Sequence, residues 1–298
     1  MINICLVLNK KYVPQTIVFL NSLFINNVNE KFKIYLLHSE LEDEHLNKLK
    51  QFIEKKHKHI FNPMKIDEEY FSDAPILWKT HSKEAYYKLL IPKIFANKLD
   101  RILYFDIDII INGSIKELYN MNIEGYCLAA TGDYYINKKD LDYKKQLGMT
   151  EADIYFNSGV VLFDINNMLK NYDIEKMQQY ISTNGKNFHY HDQEVLNKFY
   201  YDKCLIFFEK FNYMTKFKGI FDYIKYCFEK NSKSKQPIVI HYAGIKPWNI
   251  LYNAKYLELF WKYEKDTVSG LDYTNFMKNR KKVILIVILK KIYRIICP

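Results

Sequence analysis

The chain has 298 residues, 49% of them hydrophobic, with a formal net charge of +10. That is enough apolar material for one large α/β domain or two small ones. Five cysteines (Cys5, Cys127, Cys204, Cys227 and Cys297) are odd in number, widely spread and without a C-x-x-C pair, which argues against a disulfide framework or a zinc site. The positive charge is almost all Lys, since Arg occurs only at Arg101, Arg280 and Arg294. Lysines dispersed in this way read as solvated faces, and no nucleic-acid partner is expected. Ile2–Leu8 is too short for a secretory signal and lacks a basic flank and a cleavage site, so a cytoplasmic location is expected.

In chain order, Ile2–Leu8 reads as a buried strand, with a turn at Asn9-Lys10-Lys11. Pro14 suits the first turn of a helix running to Asn26, where its missing N–H costs nothing. Phe32–Leu37 reads as a strand, Leu41–Lys56 as a charged amphipathic helix, and His81–Phe95 as a helix interrupted near Pro92. Strands follow at Arg101–Phe105, Tyr126–Thr131 and Ser158–Phe163, helices at Tyr172–Asn184 and Asp192–Tyr200, and a last short strand at Ile238–Ile240. Strands alternating with helices predict an α/β fold, doubly wound around a mostly parallel sheet. In such sheets ligands bind beyond the carboxyl ends of the strands, where Asn9, Asp106, Asp133 and His241 are expected to lie.

The chemistry concentrates in two places. Ile102-Leu103-Tyr104-Phe105 runs straight into Asp106-Ile107-Asp108, and the last strand runs into His241-Tyr242-Ala243-Gly244-Ile245-Lys246-Pro247-Trp248. Residues two apart on an extended chain face the same side, so both acids can reach one ligand. Two carboxylates with an imidazole suit Mn²⁺, with Mg²⁺ as the alternative. A lysine just beyond them can meet a phosphate held by that cation.

These residues, with Tyr155-Phe156-Asn157-Ser158-Gly159-Val160 and His191-Asp192-Gln193-Glu194, resemble the family 8 glycosyltransferases, from the first strand to about Asn249. The resemblance implies a GT-A fold, a single Rossmann-like nucleotide-binding domain, and a retaining transfer of galactose or glucose from a UDP-sugar. It implies Asp106, Asp108 and His241 as metal ligands, with Gly244 and Lys246 on the diphosphate. Asp133, Asn157, Asp192 and Gln193 would surround the sugar, and Val7, Asn9 and Tyr12 would line the uridine pocket. Ile107 and Lys88 belong to the same donor site by this resemblance. Two positions depart from the family pattern: Asn9 stands where an acid is common, and Tyr86-Tyr87-Lys88-Leu89 carries Lys where Arg is usual, which loses the fork of donors. The acceptor expected is a glycan or lipid-linked oligosaccharide.

An apolar strand ending in D-x-D also occurs in haloacid-dehalogenase-like phosphatases, but near the N-terminus and followed by a small hydroxyl residue. Here Ile109-Ile110 follow, and no later acidic element completes that pattern. A membrane-associated binding module without catalysis is the remaining alternative. A composition break near Asp266 divides a catalytic domain, 1–266, from a basic and apolar tail, 267–298. In that tail Lys278, Arg280, Lys281 and Lys282 precede Val283–Leu289, and Lys290, Lys291 and Arg294 follow. The apolar run is far short of the roughly 20 residues that span a bilayer. Its basic flanks predict a helix lying on an anionic membrane surface, which would make the protein peripheral on the inner face of the cytoplasmic membrane.

Overall fold

The computed structural model describes residues 1–76, 83–215, 236–244, 246–249, 256–267 and 269–279. A central sheet of seven strands has the order β3-β2-β1-β4-β7-β6-β8. These are β1 (Ile2–Val7), β2 (Phe32–His38), β3 (Ile60–Lys65), β4 (Arg101–Phe105), β6 (Leu128–Gly132), β7 (Phe156–Asp164) and β8 (Cys204–Ile206). A smaller sheet has the order β5-β10-β9, from β5 (Ile109–Ile111), β9 (Tyr213–Met214) and β10 (Val239–His241). The expected α/β fold is present. Strands β3, β5, β8 and β9 are additions, because their short or mixed sequences show little period-2 alternation.

Strict alternation sorts the strands between the two faces of the sheet. Ile4 and Leu6 of β1, Leu103 and Phe105 of β4, and Val160 and Leu162 of β7 enter one apolar cluster. Their neighbours Cys5, Val7, Ile102, Tyr104, Val161 and Phe163 enter the other. Being buried on both faces, these strands read as near-continuous apolar runs. The first cluster is covered by the helix Val13–Ile25, with Pro14 in its first turn as expected. That helix carries Ser22 on its buried side, and Asn27 stands in the turn just past its end. Ser22 Oγ accepts from Ile111 N (2.9 Å), which ties the end of β5 to the helix, and Asn27 Oδ1 accepts from Ile115 N (2.9 Å) in the segment that follows β5.

Other helices differ in detail from expectation. Leu41–Lys56 is an α-helix over Asp43–Lys50 that widens into a π-helical stretch at Gln51–Lys56. Of the helix expected over His81–Phe95, residues 81–82 lie outside the described residues; the rest is a 3₁₀ helix over Lys83–Leu90 followed by an α-helix from Ile91, with Pro92 in its first turn rather than breaking it. Asp192–Tyr200 is helical, but its cap is His191, not Asp192.

Strand β7 runs antiparallel to both neighbours, β4 and β6, while β3, β2, β1 and β4 are mutually parallel and β6 pairs β8 in parallel. The chain between β6 and β7 stays at the carboxyl edge, so β7 starts where the others end. Asn157, Ser158 and Gly159 therefore sit at the carboxyl edge, although they open their own strand. His241 differs from expectation: it ends β10 of the small sheet, which pairs antiparallel with β5 and brings the imidazole to the same edge. Residues 271–277 pack on the helix Leu257–Glu264, with Phe276 4.5 Å from the Trp261 ring, so packing continues past residue 266. The rest of the basic and apolar tail, from Arg280, lies outside the described residues.

Candidate active site

Strand β4 ends at Phe105 and β5 begins at Ile109, so Asp106 and Asp108 occupy a bend between two sheets and not one extended strand. They converge nonetheless. Asp106, Asp108 and His241 each offer one ligand atom, all within 4.8 Å of one another. Asp108 and His241 are buried, and His241 Nε2 is 3.5 Å from Asp108 Oδ1. Two carboxylate oxygens and an imidazole nitrogen form a donor set that fits Mn²⁺ or Mg²⁺. Ile107, between the acids, is half-buried against the main apolar cluster.

Space for this convergence comes from Gly159. Its carbonyl accepts from Asp106 N (2.8 Å), and a Cβ there would overlap the imidazole of His241 and stand 3.0 Å from Asp106 Oδ2. Asp106 is held through its other oxygen: Tyr104 Oη donates to Oδ1 at 2.6 Å and Lys88 Nζ at 3.2 Å. Tyr104 lies two residues before Asp106, on the same face, and Lys88 sits 4.4 Å above its ring.

Lys88 is 2% exposed and bridges Asp106 to Asp192, whose Oδ2 is 2.8 Å away. Burial would depress the Lys88 ammonium, but the two carboxylates outweigh it and hold its pKa above the usual lysine value. Asp192 is shifted upward, by burial first and Asp106 besides, against the pull of Lys88. Its Oδ2 also accepts from Ser158 Oγ (2.9 Å). His191, at φ +49, takes a backbone conformation that costs energy for a non-glycine residue, and it sets the direction in which Asp192 enters the site. Asp192 is thus held by an ion pair and does not serve as the cap of the helix it opens.

Asp108 pairs instead with Lys246 Nζ. Burial works to raise its carboxyl, yet Lys246 and His241 pull it well below the ordinary carboxylate range. Gly244, at φ +96, lets the chain turn between His241 and Lys246. Trp248 lies 6.3 Å from Tyr12, edge to face, which joins the turn after β1 to the last motif. Asn9 Oδ1 caps that turn by accepting from Lys11 N (3.1 Å), and Val7 is buried at the end of β1.

Asp133, Asn157 and Gln193 meet at the same edge. Asp133 Oδ1 accepts from Tyr135 N (3.0 Å) and Ile136 N (3.3 Å), so it caps a helix while Oδ2 is 3.5 Å from Asn157 Nδ2. Gln193 Oε1 accepts from Asn157 Nδ2 (2.9 Å) and Ser158 N (3.0 Å). An amide oxygen holding two hydrogen bonds has used both lone pairs, which leaves the N–H groups of Gln193 as its remaining polar contacts. Motif reading did not mark Tyr104, Ser158, Gly159 or Asn212 as site residues. For Asn212 the available signal was a single amide between the aromatic residues Phe211 and Tyr213.

The family pattern described as Glycosyl transferase family 8 matches residues 3–251. The chain belongs to that family and is a glycosyltransferase. It is 27% identical over 256 residues to a lipopolysaccharide 1,2-glucosyltransferase of Escherichia coli, across 81% of this chain and 71% of that protein. It is 25% identical to glycosyltransferase GlyB of Streptococcus pneumoniae, across 79% of this chain but only 55% of GlyB. Among solved structures, the galactosyltransferase LgtC superposes with a TM-score of 0.78 at 20% identity, covering 92% of this chain and 98% of LgtC. The fold is accordingly of the GT-A type, and the family membership sets the phosphatase alternative aside.

Proposed function

We propose that this enzyme transfers a hexose, galactose or glucose, from a UDP-sugar to a glycan acceptor, with retention at the anomeric carbon. We further place it in the assembly of lipopolysaccharide or another cell-surface glycan, a reading supported by the E. coli relative. The observation that carries the donor chemistry is the convergence of Asp106, Asp108 and His241, with Lys246 against Asp108, at the carboxyl edge of the sheet.

Asp106, Asp108 and His241 would hold Mn²⁺, which neutralises the charge gathering on a departing diphosphate. Lys246 and the Gly244 turn meet the same diphosphate from this chain, and Val7, Asn9, Tyr12 and Ile107 bound the nucleoside. Asp192 stabilises positive charge at the anomeric carbon. Its fixed pairing with Lys88 and Ser158 makes it an electrostatic partner, not an attacking group. With the Gln193 oxygen engaged, a same-face substitution fits best. The bond from the anomeric carbon to the phosphate oxygen breaks, the bond to the acceptor oxygen forms, and the acceptor proton passes to the phosphate oxygen.

A donor panel tests this: purified enzyme, Mn²⁺ and separate nucleotide sugars, with release of UDP followed. Release from no UDP-hexose would defeat the reading. With an acceptor in hand, a UDP-α-hexose should give an α-linked product, and an NMR coupling constant diagnostic of a β-linkage would overturn retention.

We also propose that residues 280–298 dock on an anionic membrane face, where a lipid-linked acceptor would lie. Among the described residues no helix is long and apolar enough to cross a membrane. Full-length protein should sediment with anionic vesicles at low salt, and a chain truncated after Asn279 should stay in solution. A full-length protein that also stays in solution would exclude docking.

A further inference from the structure

A chain of amides runs from His241 to Gln193 through Asn212, a residue that is 0% exposed and belongs to none of the motifs. Asn212 follows the turn Glu209–Phe211 and stands two residues before Met214, the register partner of His241. Its Nδ2 donates to Asn157 Oδ1 (2.9 Å), and its Oδ1 lies 3.0 Å from His241 Nδ1.

Amide ends can be exchanged without changing shape, so their orientation needs an anchor. Two backbone N–H groups provide it. Ser158 N donates to Gln193 Oε1 (3.0 Å), so that atom must be oxygen, and Gly159 N donates to Asn157 Oδ1 (3.0 Å), so that one must be oxygen as well. Asn157 then presents nitrogen to Gln193. Asn212 must present nitrogen to Asn157, which leaves oxygen facing the imidazole. An amide oxygen only accepts, so the proton of neutral His241 sits on Nδ1. Nε2, the nitrogen facing Asp108, keeps its lone pair.

We propose that Asn212 is a positioning residue that fixes the His241 tautomer with Nε2 free for a divalent cation, and ties that imidazole to the Asn157–Gln193 pair beside the sugar. Its bearing on catalysis rests on the metal role of Asp106, Asp108 and His241 proposed above. A ring nitrogen that ligates a metal is commonly oriented by a hydrogen bond from the other nitrogen, and losing such a partner typically weakens metal affinity about 10–100-fold.

Two measurements test it. In metal-free, ¹⁵N-histidine-labelled protein at about pH 8, above the usual imidazole titration range, long-range ¹H–¹⁵N correlation should show the His241 proton on Nδ1. The resonance is assigned by its loss in His241→Gln. A proton on Nε2 overturns the assignment. Direct Mn²⁺ titration, read by EPR of the free ion, should show Asn212→Asp closer to the unsubstituted protein than Asn212→Leu, because a carboxylate still accepts from Nδ1 although it can no longer donate to Asn157 Oδ1. Asn212→Leu should bind about 10–100-fold more weakly; a folded Asn212→Leu with undiminished affinity would refute the positioning role. If Asn212→Leu does not fold, a loss of Mn²⁺ affinity in Asn212→Asp as large as that expected for the Leu variant refutes it equally. Failure of the unsubstituted protein to bind Mn²⁺ would remove the metal role itself, a result distinct from either variant's.

Discussion

Gly159 and His241 are packed so closely that a side chain at the first would displace the second: a Cβ on Gly159 would lie 2.9 Å from His241 Nδ1. Glycine is required there by close approach and not by backbone conformation. Gly159→Ala should leave β7 folded, since its neighbours Val160–Phe163 are fully buried, yet push His241 and Asp106 apart. We expect Mn²⁺ affinity to fall at least about tenfold, as when a ligand loses its orientation. Mn²⁺ titration alongside far-UV circular dichroism checks both halves.

The acids of the bend should dominate turnover. Asp106→Asn or Asp108→Asn is expected to lower kcat on the order of a hundredfold, comparable to removing an electrostatic stabiliser. Chelation with excess EDTA should stop UDP release in the parent enzyme. Full turnover in EDTA would contradict the donor chemistry.

Tyr104 offers a milder perturbation. Its hydroxyl donates to Asp106 Oδ1 at 2.6 Å, and Tyr104→Phe removes that bond while keeping the ring under Lys88. A hydrogen bond to a charged group contributes about 1.5–3 kcal/mol to stability, so Tm should fall by a few degrees, and kcat/KM should fall as Asp106 loses its orientation. An unchanged kcat/KM would mean that Lys88 alone orients Asp106.

Lys88 should matter for folding before it matters for catalysis. Lys88→Met leaves Asp106 and Asp192 without their shared cation, and breaking a buried pair of this kind costs about 3–5 kcal/mol. Urea denaturation of the variant measures the loss. Lys88→Arg keeps the charge and should recover most of it.

Acid should destabilise the protein through histidines remote from the site. Burial, then Lys31 and His57, lower the His59 pKa to about 4, and burial with Lys56 lowers that of His57. A depressed imidazole refuses a proton that the unfolded chain accepts. Its contribution is therefore complete above the unfolded value of about 6.5 and is lost as pH falls toward about 4. Tm measured from pH 7.5 to 4.5 should fall, and His59→Gln should flatten the slope.

Much of the site was legible along the chain because its residues cluster in short motifs at element ends. Asp106 and Asp108, and His241 with Lys246, could be named from their neighbours, and Asn157 and Asp192-Gln193 through the motifs that resemble the family. Asn212 could not, because its partners Asn157 and His241 are 55 and 29 residues away. The pairing of Lys88 was similarly hidden. The family resemblance placed it at the donor, while burial between Asp106 and Asp192 makes it their counter-ion.

What the sequence determined by itself is local in origin: apolar runs that must be strands buried on both faces, Pro14 opening a helix, and polar residues placed where strands stop. What only the tertiary structure decided is direction and proximity. The reversal of β7 brings Asn157 to the carboxyl edge. The small sheet delivers His241 to Asp106, and Gly159 clears the room between them. These depend on pairing between strands distant in the chain, which hydrophobic period does not encode. A run of Val and Leu specifies that a strand is buried, and is silent on which neighbour it lies beside and which way it runs.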